Sequence, residues 1–423
     1  MAGIGVRPYW ELTFDKDGHT DPHQRDALLR GTAGQDLTDL LVFVHGWNND
    51  RSTATTLYTA FFAPFPALLA AAPPGVRLGY TGVVWPSMRF TDEPVPAFPA
   101  RTAAAPGPGL APDTRRALAT VFPGQEAVLD RISGLLASRP HGRAALTEFI
   151  ALVRTLVGDG GHEVRDTEAD PVAPPFSGRD AKEVCERLAD ALESTGASVA
   201  ELFGGLGGRV WGGALEALRQ ATYWEMKRRA GVVGRQGLGP VLNSLARATP
   251  AVRVHLVGHS FGARLVSFAL ASVAPGNNTL RSVTLLQGAF SHYAFSPRLP
   301  FAPERGGVLG GVPDRVHGPL LCCHSRYDLA LAVLYPLVSD LSDDDSSLLV
   351  PDEARWGALG HDGIRALPGC PDTGPAGPLP GNGCVNVDVS AVVRHGGPPA
   401  GAHSDICHPE LARLILAAGG LVD

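Results

Sequence analysis

The chain has 423 residues with 36 basic against 42 acidic side chains, a net charge of -6, and no basic stripe along any segment. That balance lacks the electrostatic footprint of a nucleic-acid binder, and the length calls for two domains or for one domain carrying a large insertion. No apolar run reaches the roughly 18 residues of a membrane span, and no basic n-region followed by an apolar core opens the chain, so a cytoplasmic protein without a membrane span is expected.

In chain order, residues 40–44 form a continuous apolar run that ends in His45-Gly46-Trp47-Asn48-Asn49. This predicts a buried strand and a loop, and residues 53–72 then suit a helix interrupted at Pro64 and Pro66. Residues 77–85 predict a second strand, closed by Pro86. From there to residue 112 the composition turns Pro/Ala-rich, and a segment without strand patterns begins.

Between 113 and 225 the apolar residues keep helical periods: Leu129, Ile132, Leu135 and Leu136, then Leu146, Phe149, Ile150 and Val153, then Val184, Cys185, Leu188 and Leu192. Ser177 with Asp180 resembles a helix N-terminus, and the stretches 158–171 and 174–175 read as a mobile connection. Residues 87–219 are therefore expected to be a helical insertion, a lid or a stabilising decoration, with 1–86 and 220–423 as the core.

Helical patterns at 213–229 and 239–248 lead to a short apolar run of Val254, Leu256 and Val257. There follows Gly258-His259-Ser260-Phe261-Gly262, and then Leu265, Val266, Ala269, Leu270 and Val273 at helical spacing. A serine on a sharp strand-to-helix bend has its hydroxyl pushed clear of the backbone, and glycines two residues to either side remove side chains that would collide. Ser260 is thus the candidate nucleophile. Further strands at 283–286, 320–324 and 385–389 alternate with helices at 329–338 and 409–418, which implies an α/β fold around a mostly parallel sheet.

The six cysteines make no disulfide framework. Cys322 and Cys323, adjacent in a strand, point to opposite faces, whereas Cys370 and Cys384 flank a Gly/Pro-rich loop and would bridge in an oxidising compartment. Cys407-His408 lacks a second ligand pair for zinc. Without a phosphate loop or a Gly-x-Gly-x-x-Gly opening the first helix, neither a cofactor nor a metal is expected.

His-Gly-Trp-Asn after a strand, Trp-Pro-Ser and Gly-His-Ser-Phe-Gly together resemble the α/β-hydrolase superfamily, and within it a poorly characterised group of serine hydrolases. The resemblance covers about residues 36–86 and 220–423. It implies a nucleophile, an acid and a histidine in that chain order. Asp328 is then the acid, just past the strand at 320–324, ahead of Asp314 and of the Asp343-Asp344-Asp345 run. His403 is the base, between the last strand and the terminal helix. His395 is its competitor, His361, His324 and His408 have structural readings, His259 supports from the second rank, and Asp405 orients a loop. The main-chain N–H groups of Trp47 and Phe261 are the implied oxyanion hole, with Asn48 fixing the loop.

The expected activity is hydrolysis of an ester, thioester or similar acyl bond of a small-molecule substrate through an acyl-enzyme. A peptidase or amidase with the same three residues, or a hydrolase-fold scaffold with an idle triad, are the alternatives.

Overall fold

The structure, a computed structural model, describes residues 4–90, 109–158, 164–171, 175–197, 205–342 and 353–422. Its centre is one eight-stranded sheet in the order β1-β3-β2-β4-β5-β6-β8-β7, parallel throughout. The strands are β1 (Tyr9–Thr13), β2 (Asp39–Val44), β3 (Leu78–Val84), β4 (Arg253–His259), β5 (Leu280–Leu286), β6 (Pro319–His324), β7 (Asp372–Thr373) and β8 (Gly383–Asp388). The expected mostly parallel α/β sheet is present, with an edge strand at each side, β1 and β7, that no sequence pattern had marked.

Two apolar layers hold the sheet, and the alternation of side chains along each strand assigns residues to them. In β2, Leu40, Val42 and Val44 enter one layer while Leu41 and Phe43 enter the other. Cys322 and Cys323 divide in the same way. This double burial is why the strands read as unbroken apolar runs.

The second layer is covered by α2 (Arg51–Phe62), α3 (Phe65–Leu69) and the last helix, Pro409–Ala418. The break between α2 and α3 falls at Pro64, one of the two interruptions the sequence suggested, whereas Pro66 lies in the first turn of α3, where its missing N–H costs no helical bond. Helix α1 (Pro22–Gly34), which lacked a readable apolar stripe, lies against the first layer through Leu28.

Between β3 and β4 the described residues contain only helices and loops: α4 (Pro112–Val121), α5 (Glu126–Ser138), α6 (Arg143–Val157), α7 (Ala181–Ser194) and α8 (Gly205–Val232). Their periodic residues, from Leu129 to Leu188, join the same apolar layer as the sheet. Asp180, not Ser177, caps α7, its carboxylate accepting from Glu183 N at 3.1 Å. Helix α8 runs unbroken across residues 219–220 and continues through a π turn into α9 (Gly239–Ala248).

Of the connection read as mobile, residues 164–171 are instead anchored. Thr167 bridges Gly307, Val308 N donates to Asp166 O at 2.9 Å, and the Asp166 side chain is wholly buried. Residues 159–163 and 172–174 lie outside the described residues, as does the Asp343-Asp344-Asp345 run. After β4 the longer helices are α10 (Phe261–Leu270), α11 (Tyr335–Leu341) and α12 (Pro409–Ala418), with two single-turn helices, Glu353–Trp356 and Leu359–Asp362, between the last two. No helix among the described residues is long and apolar enough to cross a membrane.

Candidate active site

In a parallel sheet every strand ends at the same edge, and that edge is where side chains from distant segments converge. Here β2 ends at the His45–Asn49 loop, β4 at Ser260, β6 just before Asp328, and β8 feeds the loop that carries His403.

Ser260 has φ 55° and ψ -121°, a conformation that costs a non-glycine residue about 1–3 kcal/mol and persists only when its surroundings enforce it. They do. Ser260 N donates to Leu286 O at 3.0 Å, and Ala263 N and Ala289 N donate to Ser260 O at 3.0 and 3.3 Å. A Cβ on Gly262 would lie 2.2 Å from Val44 O, and one on Gly258 would lie 2.4 Å from Gly262 O. Neither position tolerates a side chain, so strand, turn and helix can close this tightly only with glycine at both.

The three residues anticipated from the sequence meet. The Ser260 hydroxyl lies 2.9 Å from His403 Nε2, and His403 Nδ1 lies 2.7 Å from Asp328 Oδ2. Asp328 is fully buried, and its other oxygen accepts from Leu331 N at 3.1 Å, which fixes the carboxylate plane. With Asp328 as acceptor, the His403 proton sits on Nδ1 and Nε2 faces the hydroxyl as an acceptor. The acid and histidine loops are stitched by an Asp328–Gly401 bridge and by Ala402 N donating to Tyr327 O at 2.8 Å.

The neighbouring histidine holds the loop instead of the hydroxyl. His259 Nε2–H donates to the His403 carbonyl at 2.8 Å, and its ring is buried. Of the remaining candidates, Asp314 is exposed in a short 3-10 turn. Asp405 accepts from Arg394 N and His395 N at 2.9 Å and pairs with His408 Nε2 at 2.7 Å, so these residues brace the loop around His403. His361 pairs with Asp362, which also holds His292. His324 is mostly buried at the end of β6 and pushed below the ordinary range by that burial.

The two motifs beside β2 and β3 explain each other. Trp85 Nε1–H donates to His45 O at 2.8 Å and its ring stacks on His45, while Asn48 Oδ1 accepts from Phe90 N at 2.7 Å. His45 Nδ1–H donates to Gly46 O at 2.8 Å, and Asn49 Nδ2 reaches the same carbonyl at 3.3 Å and Trp47 O at 2.9 Å. Because the peptide is trans, a Gly46 carbonyl tied to that cluster turns the Trp47 N–H away from it. The loop passes directly beside the serine: a Cβ on Gly46 would be 2.6 Å from Ser260 Cβ. Phe261 opens α10, so its N–H has no acceptor within the helix.

Burial pushes His45 down to about 4 and His259 down to about 3, the latter helped by the adjacent His403. Both are neutral in the folded protein near pH 6.5, where an unfolded chain would already take up protons. The lowered values mean that stability is present above about pH 6.5 and is lost as pH falls toward 4 and 3, at about 1.4 kcal/mol per pH unit for each ring. Asp170, raised by burial, works in the opposite direction, one carboxyl against two imidazoles. Urea melts are expected to show a midpoint lower at pH 5 than at pH 7.5; a flat midpoint would mean that these rings are protonated in the native state.

One buried cluster was not anticipated. Arg264, on the helix that follows Ser260, is 0% exposed, and its Nε donates to Asp166 Oδ1 at 2.9 Å. Lys227 Nζ lies 2.7 Å from Asp166 Oδ2, to which Ser291 N donates at 3.1 Å and Tyr335 O–H at 3.3 Å. Burial pushes the Asp166 carboxyl up, but Lys227 and Arg264 outweigh it and hold it below the usual carboxylate range. An arginine inside an otherwise apolar buried helix needs a partner, and that lone charge in the α10 pattern was the available signal.

Above this cluster Tyr223 packs on Phe261 at 4.6 Å and on Trp47 at 5.8 Å, so aromatic rings from α8, α10 and the β2 loop adjoin Ser260. Among the described residues the one group of three side chains close enough to share a metal is Asp15, Asp17 and His19, all exposed and remote in sequence from these loops. Compared with protein-family models, with curated proteins and with solved structures, the chain matches none.

Proposed function

We propose that the protein is a serine hydrolase of the α/β-hydrolase type that cleaves an ester, thioester or related acyl bond through an acyl-enzyme. The observation that carries this is the hydrogen-bonded chain Ser260–His403–Asp328, assembled from three strand ends on an enforced strand-to-helix bend. A serine hydroxyl is a weak nucleophile at neutral pH, and this chain supplies what it lacks. His403 Nε2 takes the hydroxyl proton as Ser260 Oγ attacks the acyl carbon. Asp328 holds the imidazole in the tautomer that can do so and stabilises the imidazolium that forms.

The charge that develops on the substrate oxygen is received by the N–H groups of Phe261 and Trp47, the first at a helix N-terminus and the second in the loop beside Ser260. The imidazolium then protonates the leaving group. Water, activated by the same imidazole, releases the acid and restores Ser260. In this proposal the helices between Trp85 and β4 form a cap, and Tyr223 on α8 gives the acyl pocket an aromatic wall.

Labelling with a fluorophosphonate tests the proposal directly, since the probe phosphonylates a serine only when its base and oxyanion donors are functional. Peptide mapping is expected to place the adduct on Ser260. A folded protein that stays unlabelled would instead support an idle triad on a binding scaffold.

A further inference from the structure

We propose that Cys370 and Cys384 form a reversible disulfide, a redox-modification site that staples the edge of the sheet independently of the chemistry at Ser260. The pairing follows from strand register. Strands β7 and β8 run parallel with Asp372 opposite Asn386 and Thr373 opposite Val387, and stepping two residues back along both chains sets Cys370 beside Cys384. Neighbouring strands lie about 4.8 Å apart, inside the span of about 4.4–6.8 Å that a disulfide bridges between α-carbons. The two sulfur atoms are already in contact, 2.7 Å apart.

What the bond would hold is otherwise weakly held. Residues 371–383 run Pro-Asp-Thr-Gly-Pro-Ala-Gly-Pro-Leu-Pro-Gly-Asn-Gly, and none of them is buried. Their ends are tied by the two-residue β7–β8 ladder, by Asn386 N donating to Pro371 O at 2.9 Å, and by Asn386 Nδ2 donating to Asp372 Oδ1 at 2.9 Å. Closing this loop covalently removes conformational freedom from the unfolded chain.

The two sulfurs also differ in access. Cys370 is half-buried and can meet an oxidant, whereas Cys384 is buried behind it, an arrangement of attacking and resolving thiols. With oxidised glutathione, the Cys370 thiolate attacks one sulfur and expels a glutathione thiolate, leaving a mixed disulfide. Cys384 then gives up its proton and attacks Cys370 Sγ, expelling the second glutathione. Two protein thiols are oxidised as one glutathione disulfide is reduced to two thiols.

Full-length protein equilibrated with oxidised glutathione, then alkylated under denaturing conditions and mapped by mass spectrometry, is expected to yield a linked Cys370–Cys384 peptide lacking two hydrogen atoms. Thermal melting should fall by about 3 °C on reduction, a shift absent from Cys370→Ser and Cys384→Ser proteins. Recovery of both cysteines alkylated, a persistent glutathione adduct on Cys370, or a bond from Cys370 to the nearby Cys322 would overturn the pairing. A linked peptide with an unchanged melt would overturn the stapling role.

Discussion

Ser260→Ala is expected to lower the turnover of an activated ester by about 10⁴- to 10⁶-fold while leaving the fold in place. The size of the effect follows from what is removed, namely the only atom in the proposed chain that forms a bond to substrate. What remains is catalysis by the oxyanion donors and by binding, about 10³- to 10⁴-fold above water. The fold should survive because alanine keeps the Cβ and the backbone bonds of Ser260 to Leu286, Ala263 and Ala289 are main-chain bonds. His403→Ala should cost nearly as much, and the double variant little more than either alone, since the residues act as a unit. Steady-state kinetics on a p-nitrophenyl ester measure all three. Turnover in the Ser260→Ala protein equal to that of the parent would end the proposal.

The largest expected change in stability lies in the buried charges. Removing Asp166 by alanine substitution leaves Arg264 and Lys227 inside the protein without their shared carboxylate, and breaking one side of a buried ion pair typically costs about 3–5 kcal/mol. The location raises the consequence. Asp166 sits on the short anchored segment 164–171, Arg264 on the helix headed by Ser260, Lys227 on α8 and Tyr335 at the start of α11. With Ser291 N also donating to it, a single carboxylate thus ties five separate stretches together. Urea unfolding should show a midpoint shift of that size; a change below about 0.5 kcal/mol would mean that water already reaches the cluster.

Much of this arrangement was legible in the sequence wherever the determining contacts are local. The bend at Ser260 is announced by its own glycines, although only Gly258 is forbidden a Cβ by the turn itself, Gly262 being crowded by Val44 O of the adjoining strand. Asp328 and His403 are each placed by the strand that precedes them, because a parallel sheet delivers every strand end to one edge. Strand β1 was missed because at the sheet edge its Tyr9-Trp10-Glu11-Leu12-Thr13 buries only Leu12 fully. Helix α1 has too few buried residues, Leu28 and Thr32, to mark a stripe. The Asp166 cluster was missed for a different reason: its members are spread over some 170 residues and share no spacing.

The central pairing of the sheet also constrains how the chain is assembled. Strand β4 lies directly against β2, Asp39 opposite Arg253, and those partners are 214 residues apart. At ribosomal speeds of about 5–20 residues per second, on the order of 10–40 s separate their synthesis. Throughout that interval the apolar strand Asp39–Val44 has β3 on one side and an open row of peptide groups on the other. A nascent chain in this condition offers a template for pairing with a second nascent chain, and the hazard ends when β4 emerges and takes that edge.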